Sequence, residues 1–247
     1  MIFEEREKFT FSVLEELLGK KAELVVIGGY AINAYTLPRF SVDCDIVVKD
    51  KKTTLAVKKV LESKGFTKKA EGTLPGYSGG FLRFATKKPA PATFDILAET
   101  IEDRLTGTLF PAELIFKYSA KRTIFGKSSP ARIETRVADP EMLFVMKAIS
   151  SRKSDMRDVF MLASTKLDRK KIAEISEKIP IPQESIEKIA SKVNSIGFKD
   201  ALQGVFGMLP EKQFETTKKK LFSLLKQKQF EELASFGKTF AKKKEIK

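Results

Sequence analysis

Between Leu24 and Val48 the chain reads LVVIGGYAINAYTLPRFSVDCDIVV. Leu24 to Ile27 is an apolar run ending at Gly28-Gly29, Ala31 to Tyr35 has the length of a helical turn or two, and Pro38 closes it. Val42, Cys44, Ile46 and Val48 then alternate with Asp43, Asp45 and Val47. Side chains in a strand alternate faces, so the first set shares one face while Asp43 and Asp45 project together from the other. Two carboxylates at that separation repel, and one is pushed toward its neutral form unless a cation neutralises them. A fold has no reason of its own to accept that cost. The pattern therefore points to a divalent metal at the end of a strand–glycine–helix–strand unit.

Composition narrows the metal. The 247 residues include no histidine and a single cysteine, Cys44. An imidazole-ligated or thiolate zinc site cannot be built, and histidine cannot serve as the catalytic base. Carboxylate ligands suit magnesium or manganese. One cysteine also rules out an intramolecular disulfide, which suits a reducing compartment. The start, MIFEEREKFTF, is charged from its fourth residue, unlike a signal peptide, and no apolar run approaches the ~20 residues of a membrane span. A soluble, cytoplasmic protein is expected, with no membrane partner. The net charge is +14, and residues 151–247 alone carry 22 basic and 13 acidic side chains. Such a surface favours polyanions such as RNA or nucleotides, although a lysine-rich solvated helical face has the same composition.

Apolar residues at Phe9, Val13, Leu14, Leu17 and Leu18 predict a helix over 3–18, stopped by Gly19. A helix over 54–64 follows, capped by Asp50 or Thr53 and ended by Gly65, and a strand opens at Phe66. Glu71 to Gly80 holds four glycines and a proline and reads as a loop or hairpin tip. Strands are expected at Phe81–Ala85 and Thr93–Leu97, the latter centred on Asp95. A short helix follows near Pro111–Tyr118, then a hairpin around Gly126 made of Arg122–Phe125 and Arg132–Val137. From Asp139-Pro140, a strong helix-start signal, the pattern is helical: 141–150, 155–166, 169–178, 183–195 and two or three more. Lys242-Lys243-Lys244 reads as a frayed tail. The expectation is an α+β domain over 1–138, a mixed β-sheet flanked by helices, followed by an all-helical domain over 139–247.

Three features share one chemistry. Gly28 and Gly29 let backbone approach a phosphate closely. Asp43 and Asp45 offer oxygens to a hard cation, and Asp95, in another apolar strand, supplies a third carboxylate. Carboxylates around magnesium suit in-line phosphoryl or nucleotidyl transfer.

At Ile27-Gly28-Gly29, thirteen residues, then Asp43-Cys44-Asp45, the chain resembles the nucleotidyltransferase superfamily, whose fold is shared with DNA polymerase beta. GGYAINAYTLPRFSVDCDIVV is most similar to the minimal nucleotidyltransferases and the AbiEii-type toxins of toxin–antitoxin systems. Those carry GG-x-A and R-x-T-x-D-h-D, matched by Arg39 to Asp45 with Ser41 in place of Thr. A second stretch, KAISSRKSDMRDVFM, matches the family's K-x-x-A and R-D-h-x-D helix pair through Lys147, Arg152, Arg157 and Asp158, and departs from it at Met161, where a second Asp is common.

The resemblance implies an enzyme that transfers NMP from an NTP such as ATP to a hydroxyl acceptor, with Mg2+ or Mn2+ held by Asp43, Asp45 and Asp95. It implies that Lys147 contacts nucleotide phosphates and that Asp158 orients the site. Arg39 either reaches the triphosphate or pairs with a carboxylate, Ser41 either caps locally or touches phosphate, and Asp158 has Arg152 and Arg157 nearby as salt-bridge partners. The acceptor can be RNA (a tRNA 3′ end, which some toxins of the family modify), a protein hydroxyl or a small molecule. An antitoxin protein is a further implied partner. A catalytically inactive protein of this fold, serving as a nucleic-acid- or partner-binding module, is the alternative from a different class.

Overall fold

The structure is a computed structural model, and it describes residues 2–73, 76 and 79–225. At its centre lies β1 (Leu24–Ile27), all four residues of which are buried. It runs straight into the short helix α2 (Gly28–Ile32). β1 pairs antiparallel with β2 (Asp43–Val48), which pairs in parallel with β5 (Ala92–Ala98). Outward from β5 lie β4 (Gly80–Thr86) and the edge strand β3 (Thr67–Thr73). On the other side of β1 lie β9 (Arg132–Ala138) and then β8 (Ser119–Phe125). The sheet is thus mixed, with order β3-β4-β5-β2-β1-β9-β8.

The alternation read in β2 sets the layers. Cys44, Phe94 and Phe84 are register partners across β2, β5 and β4, and all three are fully buried. On that face Phe94 meets Phe66 edge-on, and Phe66 stacks on Phe9 of α1 (Ile2–Gly19). Helix α3 (Lys51–Ser63) packs against α1 and β5. Asp50 caps it, accepting from the Thr53 N–H at 2.6 Å. The opposite face of the sheet carries Asp45 and Asp95.

Two differences from the sequence reading have local causes. Residues 71–73 and Gly80 belong to strands, so the β3–β4 hairpin is longer than the glycines suggested. Every residue of β3 is exposed, so an edge strand of Lys, Glu and Gly showed no apolar alternation. A small second sheet, β6 (Thr100–Glu102) with β7 (Leu109–Pro111), was not foreseen because strands of three residues are shorter than any usable period. It leads into α4 (Ala112–Lys117).

After Ala138 every described element is a helix: α5 (Pro140–Ser150), α6 (Lys153–Ser164), α7 (Arg169–Lys178), α8 (Gln183–Val193), α9 (Phe198–Phe206) and α10 (Glu211–Leu225). Pro140 opens α5 at its first turn as read, but Asp139 turns its carboxylate to Lys171 instead of capping. Phe160, Phe198 and Phe214 form an aromatic cluster between α6, α9 and α10. The lysine-rich tail lies outside the described residues.

One long-range tie holds the outer strands to the first helix. Glu7, only 1% exposed, accepts from the backbone N–H groups of Lys127, Ser128 and Ser129 at 2.8–3.2 Å. It anchors the β8–β9 turn to α1, and the three donors stabilise a buried carboxylate that would otherwise be costly.

Candidate active site

The carboxylates meet because of strand register. Asp45 on β2 is the direct partner of Asp95 on β5, and Asp95 is the direct partner of Arg83 on β4. These three side chains form a row across neighbouring strands, on the face opposite Cys44. Asp43 lies two residues along β2 on the same face. The sequence-predicted Asp43, Asp45 and Asp95 are therefore brought together, on rigid strands.

Arg83 was not foreseen. Its guanidinium takes both oxygens of Asp95, with Nε at 2.8 Å from Oδ1 and Nη2 at 2.6 Å from Oδ2. Nη2 also lies 3.7 Å from Oδ2 of Asp43. The signal was present, since Arg83 is a charge in the middle of the otherwise apolar run FLRFA. Pairing between adjacent strands is invisible in a single strand's pattern.

One guanidinium does not balance three carboxylates. Burial, then the charge of Asp95, raises the Asp45 pKa to about 7. Burial, then Asp95 again, raises Asp43, with Arg83 opposing. Contact with Asp95 raises Arg83 in turn. Among the described residues no group of three acidic or cysteine side chains is arranged to hold a cation as it stands, since Asp95 gives both its oxygens to Arg83. The donor set nonetheless fits a hard divalent ion: all oxygen and electrically under-compensated, with the chain's single thiol, Cys44, facing the core.

Gly28 closes in on this row. Its φ is +67°, and a Cβ placed on it would lie 1.9 Å from Oδ2 of Asp45. The backbone at the end of β1 therefore touches the Asp45 carboxylate, which is possible only for glycine. A Cβ on Gly29 would lie 2.3 Å from the Ser41 hydroxyl and 3.1 Å from Nη1 of Arg39. Ser41 Oγ donates to the Asp43 carbonyl at 3.1 Å. Changing Gly28 to Ala should cost about 1–2 kcal/mol in backbone conformation alone and displace Asp45. The expected result is a soluble variant of lower melting temperature whose transfer activity is down at least tenfold, read by thermal melt and a labelled-nucleotide assay.

Arg39 and Lys147 are not free cations. Arg39 makes a forked pair with Asp158, Nε at 2.7 Å and Nη2 at 2.6 Å. Asp158 is fully buried. Lys147 Nζ lies 2.6 Å from Asp155 Oδ1 and 3.2 Å from Asp158 Oδ2. Burial alone would lower the Lys147 pKa, but Asp158 and then Asp155 outweigh it and hold it above the ordinary value. Asp158 pairs with Arg39 and Lys147, not with Arg152 or Arg157; Arg152 instead reaches Asp103 at 3.0 Å. The network joins the loop after α2 to α5 and α6.

A cavity of about 680 Å³ opens over the row. Gly28, Asp45, Asp95 and Arg83 line one side, α5 contributes Leu143, Met146 and Lys147, and β4 and the small sheet contribute Phe81, Ile101 and Phe110. Its size suits a nucleotide.

Among solved structures, the crystal structure of JHP933 from Helicobacter pylori is similar at 17% identity and a TM-score of 0.46, over 94% of this chain and 97% of that one. The crystal structure of the lincosamide antibiotic adenylyltransferase LnuA, lincomycin-bound, is similar at 17% identity and a TM-score of 0.45, over 63% of this chain and 95% of that one. No curated protein matches. The family described as "Nucleotidyl transferase AbiEii toxin, Type IV TA system" matches residues 12–236, most of the chain, and this protein therefore belongs to it.

Proposed function

We propose that this protein is a divalent-metal-dependent nucleotidyltransferase that moves NMP from an NTP to a hydroxyl of RNA, with a tRNA 3′ end as the first candidate acceptor. The carrying observation is the register-matched pair of Asp45 and Asp95, with Asp43 beside them, facing a nucleotide-sized cavity at Gly28. Family membership supports the reaction class. The excess of basic side chains over residues 151–247 supports a polyanionic acceptor.

Asp43 and Asp45 would hold Mg2+ or Mn2+, with Asp95 as the third ligand. When bound, the cation neutralises charge building on the transferred phosphoryl group and lowers the pKa of the acceptor hydroxyl. Gly28 and Gly29 lie where backbone N–H groups can come close to the triphosphate. Asp95, on the strand next to Asp45, would take the acceptor's proton. The acceptor oxygen forms a bond to the α-phosphorus as the bond to the bridging oxygen breaks, and pyrophosphate leaves. Among the described residues Lys147 is the only lysine lining the cavity, and we assign it the triphosphate's outer phosphates, with Asp155 and Asp158 holding its ammonium in place until they arrive. Arg39, Ser41 and Asp158 act on the loop that carries Asp43. The helices after Ala138 form a second domain, and an antitoxin protein counters the activity.

Because Asp45 must be ionised to bind a cation and its pKa is about 7, the transfer rate at subsaturating Mg2+ should rise roughly tenfold per pH unit below 7 and level off above it. A flat profile from pH 5 to 8 would count against Asp45 as a ligand. The direct test incubates the protein with each labelled NTP, total RNA and lysate, and asks which macromolecule becomes labelled. Label on RNA, dependent on added metal, is the expected outcome; no labelled product with any NTP would overturn the reading. Calorimetric titration with magnesium and ATP separates this from an inactive binding module, which should show no metal-dependent nucleotide binding.

A further inference from the structure

Arg83 stands where the proposed metal site is most negative. It is the register partner of Asp95, forks onto both its oxygens, and lies within 3.7 Å of Asp43. Its side chain is 39% exposed, so the guanidinium is not locked in by packing. It lines the same cavity as Gly28 and Lys147, and its guanidinium lies 5.8 Å from the ring of Phe81. No other cation approaches Asp95 within salt-bridge distance among the described residues.

Resting on the metal site proposed above, we propose that Arg83 is a positioning residue that serves as a built-in counter-cation. It holds Asp95 in the metal-free protein, and it transfers its fork from Asp95 to a phosphate of the incoming nucleotide when the metal arrives. The chemistry of the two anions allows the exchange, since a guanidinium fork fits a carboxylate and a phosphate equally well. Electrostatics favours it. Three carboxylates with one guanidinium leave two negative charges uncompensated, and a divalent ion balances them. A metal arriving alone must break the Arg83–Asp95 pair with nothing to receive the guanidinium. A metal arriving with a nucleoside triphosphate brings the phosphate that receives it. Metal and nucleotide are then coupled through Arg83, and by linkage each strengthens the other's binding.

The test measures Mn2+ binding by electron paramagnetic resonance on the full chain. Wild type, Arg83→Met and Arg83→Lys are compared with and without the α,β-methylene analogues of ATP, GTP, CTP and UTP. Without nucleotide, Arg83→Met should bind Mn2+ at least tenfold tighter than wild type. Arg83→Lys keeps the charge but not the fork and should fall between them. With the preferred analogue, the gain in Mn2+ affinity should be at least tenfold smaller in Arg83→Met than in wild type. If Arg83→Met does not fold by circular dichroism, Arg83→Lys decides, with at least threefold tighter binding than wild type expected. Equal Mn2+ affinities in folded wild type and variants, without nucleotide, would overturn the role of Arg83 and leave the metal site standing. Absence of Mn2+ binding in all three proteins, even with nucleotide, would overturn the metal site and this inference with it. A purely structural arginine would lower the melting temperature without tightening Mn2+ binding, and that result also overturns the proposal.

Discussion

Replacing Asp45 with Asn should raise the melting temperature of the metal-free protein at pH 8 and abolish nucleotidyl transfer. The two effects have one cause. Burial, together with Asp95 and Asp43, raises the folded-state pKa of Asp45 to about 7, against an ordinary 3.8. The native state therefore binds more protons than the unfolded chain between those values, and the contribution of Asp45 to stability falls as pH rises from about 4 to about 7. Above pH 7 its charge is a standing cost, and an amide of the same shape removes it. A gain of about 1–3 kcal/mol is expected, which at this chain length is several degrees of melting temperature. Asn cannot replace a carboxylate toward a hard cation, so transfer should drop by roughly a thousandfold or more. Asp43→Asn with Asp45→Asn should leave no measurable labelling of any acceptor and a native circular dichroism spectrum. Full activity in the double variant would sink the proposed chemistry. A lower melting temperature for Asp45→Asn at pH 8 would show that the site is not electrostatically strained.

The second large effect is on stability. Asp158 is fully buried and holds two cations, Arg39 by a fork and Lys147 at 3.2 Å. Changing Asp158 to Ala leaves the Arg39 guanidinium, itself mostly buried, with no carboxylate partner. Removing one member of a buried pair costs about 3–5 kcal/mol, so the urea midpoint should fall markedly, with the slope unchanged. Met in place of Lys147 should cost less, because Asp158 keeps Arg39. If Asp158→Ala unfolds at the wild-type midpoint, the network is not a structural tie.

The glycine pair and the alternation around Asp43 and Asp45 were legible because each is a local pattern whose physics acts within a few residues. β1 is four apolar residues, β2 alternates with period two, and Gly28 takes a left-handed φ only because it has no side chain. Asp95 was legible for the same reason, as a lone charge in an apolar strand. What was not legible is pairing at a distance. Neighbours along a helix suggested Arg152 or Arg157 for Asp158, but its partner, Arg39, is 119 residues away. The pairing of Lys147 with Asp155 was not legible either, because nothing in the sequence shows that Asp155 turns toward it across the break between α5 and α6. Arg83 was passed over although it interrupts its strand just as Asp95 does. Only the order β4-β5-β2 makes the two neighbours. The exposed strand β3 and the three-residue strands β6 and β7 carry no period to read. The turn held by Glu7 depends on backbone donors some 120 residues away.

The separation of Arg39 from Asp158 also sets a schedule. A ribosome adding about 5–20 residues per second needs about 6–24 s to make the 119 residues between them. During that interval the residues of β1, β2 and the glycine pair have been synthesised, and the loop leading to Asp43 has the Asn33 side chain on the Arg39 backbone to hold it but not yet Asp158. Until its sixth helix is made, a growing chain lacks Asp158 and with it the ion pairs that tie this loop to α5 and α6.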